Sequence, residues 1–153
     1  KLFIIPTYLS PFKSAYTAKA SVRLEWLKKM FQDEPKVEVL DIEVKQKRAV
    51  PTIETVNVLQ ENLKPTKIYL IIGADNFVSI TKWSRYEELK SKVEFVVAHR
   101  AKNRLPGNLK KLPINVNISS SKLREKMDTS YLPASITKEI TEYYSKENNE
   151  PKN

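Results

Sequence analysis

Five short apolar runs, each ended abruptly by polar residues, constrain this chain more than any other feature of its sequence. They are Leu2–Ile5, Val37–Leu40, Ile68–Ile72, Phe95–Ala98 and INVNI at Ile114–Ile118. Several are continuous instead of alternating, the pattern of strands covered on both faces in a parallel sheet. The segments between them carry helical spacing. In Ala18–Phe31, Val22, Trp26 and Met30 recur every four residues with Leu27 and Phe31 beside them, which makes one apolar stripe. Pro51–Leu63 opens on proline and threonine and sets Ile53, Val56, Leu59 and Leu63 on one face. SSSKLREKM begins with serines able to cap a helix, and PASITKEITEYY reads as a proline-initiated terminal helix. Strands alternating with helices predict an α/β, doubly wound, mainly parallel sheet with a small helical C-terminal end. A single domain over residues 1–146 is expected, followed by a polar tail at 147–153; the stretch from Ser145 onward is polar enough to fray.

A length of 153 residues suits one domain with a real core. No apolar run approaches membrane-spanning length, and no cleavable signal is visible, so the cytoplasm is the expected compartment. The chain has no cysteine and a single histidine, His99. Disulfides, thiolate nucleophiles and multi-histidine metal sites are therefore excluded within it. A formal net charge of +9 suits an anionic partner, whether nucleotide phosphates, nucleic acid or an acidic membrane. Aromatic residues do not interleave with the basic ones as in a single-strand binding groove. No recognition motif accompanies the charge, so neither a nucleic-acid nor a membrane partner is expected, and His99–Lys111 reads as a basic loop.

In doubly wound folds ligands collect beyond the carboxyl ends of the strands, so the residues just after each run carry the chemistry. Gly73-Ala74-Asp75 follow the third run, in a chain with only two glycines. A glycine there allows close approach of backbone or ligand, and Asp75 can accept hydrogen bonds from ribose hydroxyls. The competing reading is a tight turn with a helix-capping aspartate. Ser119-Ser120-Ser121 with Arg124 offers hydroxyls, amides and a guanidinium suited to phosphate, or else a plain serine cap with a solvent-facing arginine. Trp83, taken without its neighbouring motifs, reads as a core anchor.

Taken together the motifs resemble the bacterial nicotinate-mononucleotide adenylyltransferases of the nucleotidylyltransferase superfamily. ISSSKLRE resembles the family's Ile-Ser-Ser-Thr-x-Ile-Arg signature, with Ser121 for threonine and Leu123 for isoleucine. IIGADN followed by WSRYEEL resembles the Gly-Ala-Asp segment and its downstream tryptophan. RLEWL, EVKQKRAVPTIETV and YLPASITKEITEYY resemble three further family segments, and the matches run in order through nearly the whole chain. The resemblance implies adenylyl transfer from ATP to nicotinate mononucleotide, giving deamido-NAD and pyrophosphate, with Mg²⁺ accompanying ATP. It implies that Gly73 and Asp75 hold the adenosine ribose, and that Ile118, Ser119, Ser120 and Ser121 hold ATP with Arg124 on its phosphates. Arg124 is the one catalytic candidate. His99 and Arg100 match the family's strand-end pair, with Arg100 facing ATP. Trp83 would stack on the pyridine ring, amides around Trp83 and Ser84 would meet the nicotinate carboxylate, and Thr52 would line the same pocket. Lys13 matches a basic residue near the mononucleotide phosphate.

The chain departs from the pattern at Phe12, where the family carries histidine, and at Val50 and Pro51, where it carries serine and tyrosine. Family members also begin with a strand, a glycine-rich turn and a His-x-Gly-His helix. Nothing comparable occurs here, and a strand plus a helix of roughly thirty residues is expected to be missing upstream of Lys1 or supplied separately. That strand lies mid-sheet in the family, so its loss would expose strand edges. The alternatives are another adenylyltransferase of the superfamily, acting on nicotinamide mononucleotide, pantetheine phosphate or a flavin, or a catalytically silent nucleotide-binding fragment. A homo-oligomer is compatible with all of these.

Overall fold

The structure, a computed structural model, describes residues 1–11, 17–99, 107–114 and 128–149. They fall into two compact units. One comprises Lys1–Leu9, Lys13–Arg48 and Ile118–Asn153; the other comprises Ser10–Phe12 and Ala49–Asn117.

In the first unit β1 (Leu2–Ile4) pairs in parallel with β2 (Val37–Val39), Leu2 opposite Val37 and Ile4 opposite Val39. Helix α1 (Ala20–Met30) makes the crossover between them, and a short α2 (Ile42–Gln46) follows β2. The expected stripe on α1 is real: Trp26 is buried, and Val22 and Met30 pack beside it. Its partner is α6 (Ala134–Asn149), whose Ile136, Ile140, Tyr143 and Tyr144 recur at helical spacing and meet the same cluster. Trp26 stands edge-on to Tyr143, with ring centroids 5.4 Å apart. Such an offset aromatic contact stabilises beyond the area it buries. Lys29 and Glu139 close the rim of this helix pair at 2.5 Å. Helix α6 runs on to Asn149, into the polar stretch that begins at Ser145.

The second unit is a three-stranded parallel sheet of β3 (Tyr69–Gly73), β4 (Glu94–His99) and β5 (Lys110–Pro113). Leu70 pairs with Phe95 and Ile72 with Val97, so these four share one face. Among the described residues of this unit are three helices, α3 (Thr52–Leu63), α4 (Ala74–Phe77) and α5 (Tyr86–Lys92), with a 3₁₀ turn at Ile80–Lys82. Two buried clusters result. Ile53, Val56 and Leu89 form one; Ile72, Ala74, Ile80 and Val97 form the other. Leu70, Trp83 and Phe95 touch both.

Three expectations need correction. The run Ile68–Ile72 is not covered on both faces: Tyr69 and Ile71 are 49% and 48% exposed, because the packed face is the one Leu70 and Ile72 share. Leu63, expected on the buried stripe of α3, is exposed at that helix's last turn. The basic segment read as a loop contributes Lys110 and Lys111 to β5. That polar strand pairs because the outer edge of β4 offers unfilled backbone donors and acceptors, and its terminal Pro113 is tolerated on an edge. Of INVNI, Ile114 follows β5 and the remainder lies outside the described residues.

At the amino ends of these strands Glu94 bridges two lysines, Lys110 at 2.7 Å and Lys67. Both ammonium groups also lie over the Tyr69 ring, at 4.7 Å for Lys110 and 5.2 Å for Lys67. Hydrogen bonds from Lys110 and then Lys67 hold the Glu94 carboxyl below its ordinary value, and Glu94 raises both lysines in turn. A depressed carboxyl stabilises above its unfolded pKa and loses that contribution as pH falls through its folded value. Glu94→Gln is therefore expected to lower the melting temperature at neutral pH, with the gap from wild type closing as pH drops below the carboxylate range. Leu89→Ala, at a side chain with no exposure, is expected to cost about 2–5 kcal/mol in urea unfolding.

Candidate active site

Parallel register brings the carboxyl ends of the three strands together: Gly73 pairs with Ala98 and His99 with Pro113. Gly73 is both the last residue of β3 and the cap of α4, with φ −69° and ψ 149°. That is ordinary extended backbone. A Cβ built on it would meet nothing within 4 Å. Among the described residues neither chain geometry nor internal packing therefore requires glycine here, and open space stands in front of it. Asp75 lies in the first turn of α4 and is exposed. Since Gly73 holds the cap position and no side-chain cap bond forms, the capping reading of Asp75 does not hold. Its carboxylate stands in solvent, two residues beyond the strand.

The second part of the site is the turn after the 3₁₀ segment. Trp83 is partly buried and packs against both clusters. Its amide donates to the Ile80 carbonyl at 3.0 Å, so of the two amides proposed for a carboxylate the Trp83 one is already engaged. Ser84 is exposed, and its amide has no backbone acceptor among the described residues. Thr52 opens α3 after an extended Pro51. The next residue, Ile53, belongs to the cluster that Trp83 packs against. Gly73, Asp75, Thr52, Trp83 and Ser84 thus belong to one unit. Val50 is buried at 4% exposure, so this position holds a core valine where the family pattern has serine.

Lys13, Phe12, Arg100, Ile118, Ser119, Ser120, Ser121 and Arg124 lie outside the described residues. In the first unit Arg23, within the RLEWL segment, ties the chain after β1 to the start of α1. Its Nη2 donates to the carbonyls of Thr7 at 2.6 Å and Tyr8 at 3.0 Å, and its Nε donates to Ala18 at 3.0 Å. A mostly apolar cavity of about 510 Å³ lies between α1 and α6 beside it, lined by Trp26, Met30 and Ile140 among others. Among the described residues, none of the site residues expected from sequence lines it.

One feature of the turn escaped sequence reasoning. Arg85 has φ 54° and ψ 43°, a left-handed conformation that costs a residue with a Cβ about 1–2 kcal/mol. Its guanidinium meets Glu88 through Nε at 2.6 Å and Nη2 at 2.5 Å. Burial pushes the Glu88 carboxyl up, but hydrogen bonds from Arg85 and Lys92 outweigh it and hold it below its ordinary value. The i,i+3 and i,i+4 spacing of Arg85, Glu88 and Lys92 was visible. The backbone was not, because no glycine marks it.

Parallel strands that end together and are joined through helices place the chain in the α/β class. The sequence pattern of the cytidylyltransferase-like family matches residues 1–126, and the chain belongs to that family. Among its relatives, a probable nicotinate-nucleotide adenylyltransferase of Sulfurimonas denitrificans is 47% identical over 147 residues, covering 96% of this chain and 80% of that protein. One of the same description from Campylobacter fetus is 42% identical over 148 residues, covering 97% and 82%. Within the family the chain therefore groups with the nicotinate-nucleotide adenylyltransferases. The solved structure of Plasmodium falciparum nicotinic acid mononucleotide adenylyltransferase complexed with NaAD superposes with a TM-score of 0.67 at 19% identity. It covers 96% of this chain and 80% of that one, which shows a shared fold.

Because the space before Gly73 is empty, Gly73→Ala is expected to leave the melting temperature unchanged or raise it slightly. The same variant is expected to weaken ATP binding by about tenfold, near 1.4 kcal/mol, measured by calorimetry.

Proposed function

We propose that the protein transfers the adenylyl group of ATP to the phosphate of nicotinate mononucleotide, forming deamido-NAD and pyrophosphate. The observation that carries this reading is the pairing of an open strand end at Gly73–Asp75 with an anchored indole at Trp83, in the same unit as Thr52. Asp75 accepts the ribose hydroxyls of ATP, and the absence of a Cβ at Gly73 lets the sugar approach the strand. Trp83 offers an indole face to the electron-poor pyridine ring. The Ser84 amide donates to the nicotinate carboxylate, and a donor there disfavours the carboxamide, which presents an NH₂ in place of one oxygen. Lys13 meets the mononucleotide phosphate. Ile118, Ser119, Ser120, Ser121, Arg124 and Arg100 hold ATP, with Arg124 on the phosphates.

The reaction is an in-line displacement. An oxygen of the mononucleotide phosphate forms a bond to the ATP α-phosphorus, and the bond from that phosphorus to the bridging oxygen breaks, releasing pyrophosphate. The nucleophile is already ionised at neutral pH, so no side chain needs to remove a proton. Positioning and neutralisation of phosphate charge supply the catalysis. No group of three or more acidic or histidine side chains among the described residues could cage a metal. In this scheme Mg²⁺ accompanies the ATP phosphates. No helix among the described residues is long and apolar enough to cross a membrane, and the scheme sets the enzyme in the cytoplasm, with small-molecule nucleotides as its partners.

The test is pyrophosphate release with Mg-ATP and, in parallel, nicotinate or nicotinamide mononucleotide. Faster release with the nicotinate form is expected. Preference for the nicotinamide form would reassign the acceptor. Silence with both, in a folded protein that binds ATP, would leave a nucleotide-binding chain without the transfer activity.

A further inference from the structure

Among the described residues three non-glycine positions have positive φ: Lys47, Lys64 and Arg85. Lys47 and Lys64 terminate α2 and α3, where a left-handed residue is a common helix stop. Arg85 instead precedes its helix. It sits between two aromatic anchors, Trp83 and Tyr86, that pack against the same cluster, and Tyr86 stacks on Phe95 at 6.4 Å. Glycine would adopt this conformation without strain, so a role for the arginine must lie in its side chain. That side chain begins a continuous polar chain. Arg85 forks onto Glu88 Oε2, Glu88 Oε1 meets Lys92 Nζ at 3.3 Å, and Lys92 Nζ donates to Asn57 Oδ1 at 2.6 Å. Asn57 lies on α3, the helix that Thr52 opens.

We propose that Arg85 is a positioning residue for the pyridine-nucleotide pocket: through Glu88, Lys92 and Asn57 it holds the Trp83–Ser84 turn in fixed register with α3. The inference rests on the reading that Trp83, Ser84 and Thr52 receive the nicotinate moiety. The solvent-screened Arg85–Glu88 pair at the head of this chain contributes little to stability by itself. Its effect is geometric, since the indole and the Ser84 amide lie on one end of the chain of contacts and Thr52 on the helix at the other. Loosening it should widen the distribution of pocket shapes while leaving the ATP side at Gly73 and Asp75 alone.

The experiment measures melting temperature and calorimetric affinities for deamido-NAD, nicotinate mononucleotide, nicotinamide mononucleotide and ATP. The proteins are wild type, Arg85→Gly, Arg85→Lys, Glu88→Gln and Lys92→Met. Arg85→Gly relieves the backbone while removing the fork, so its melting temperature should not fall. Its affinity for deamido-NAD should drop by about fivefold, the upper range for an exposed ion pair, with ATP affinity unchanged. Discrimination between the two mononucleotides should shrink with it. Glu88→Gln and Lys92→Met should move the same way, and Arg85→Lys should recover part of the loss. Wild-type affinity for pyridine ligands in Arg85→Gly would overturn the inference, as would loss of ATP and pyridine affinity together with lowered melting temperature. A wild type that binds ATP and no pyridine ligand would bring down the functional reading and this inference with it. Pyridine binding unaffected by any of the variants would overturn the positioning role alone.

Discussion

Parallel pairing of β3 with β4 and of β4 with β5 is the constraint from which the second unit follows. Parallel strands require a crossover after each strand, and every strand must end on the same edge. Gly73, His99 and Pro113 are therefore brought to one edge by register. The crossover from β3 to β4 is broken into α4, a 3₁₀ turn and α5. Trp83 sits at the junction of the last two. Its indole closes on both hydrophobic clusters, so the strand-end edge and the indole are positioned by the same packing.

The parts of this arrangement that were legible in the sequence are those with enough length to show a period. Helices α1, α3 and α6 have eleven, twelve and sixteen residues; apolar spacing names the buried face of α1 and, Leu63 apart, that of α3, while α6 is read from its initiating proline. Strands β1 to β4 coincide with apolar runs. Helices α2, α4 and α5 have five, four and seven residues, too short for a repeat of 3.6 to declare itself. Strand β5 has no apolar run at all. Lys110 and Lys111 become strand because β4 leaves an edge to be paired, a case of context overriding propensity.

The candidate site divides in the same way. Gly73 and Asp75 stood out because a strand-sized run stops at them, and the structure keeps both exposed at that stop. The reason offered for Gly73, close approach of backbone or ligand, does not depend on its φ, which at −69° asks nothing special of the residue. The engagement of the Trp83 amide by Ile80 could not be read from composition or spacing, because it depends on where the 3₁₀ turn closes. The left-handed Arg85 was hidden for a related reason: sequence reading looks for glycine where φ is positive, and this chain places an arginine there.

The two edges of the sheet in the second unit treat charge differently, and the difference fits a division of labour. At the amino ends, Lys67, Glu94, Lys110 and the Tyr69 ring engage one another. Charges satisfied internally contribute to holding the strands in register and have little left to offer a ligand. At the carboxyl end of β3, Asp75 stands exposed two residues beyond Gly73, and Ser84 is exposed in the turn before α5. An enzyme whose chemistry consists of aligning two phosphates needs no tuned acid or base. It needs rigid walls and donors not already consumed by the fold. In the reading proposed above, the Trp83 indole packed against both clusters, with Ser84 exposed next to it in the chain, would meet that need with ordinary side chains.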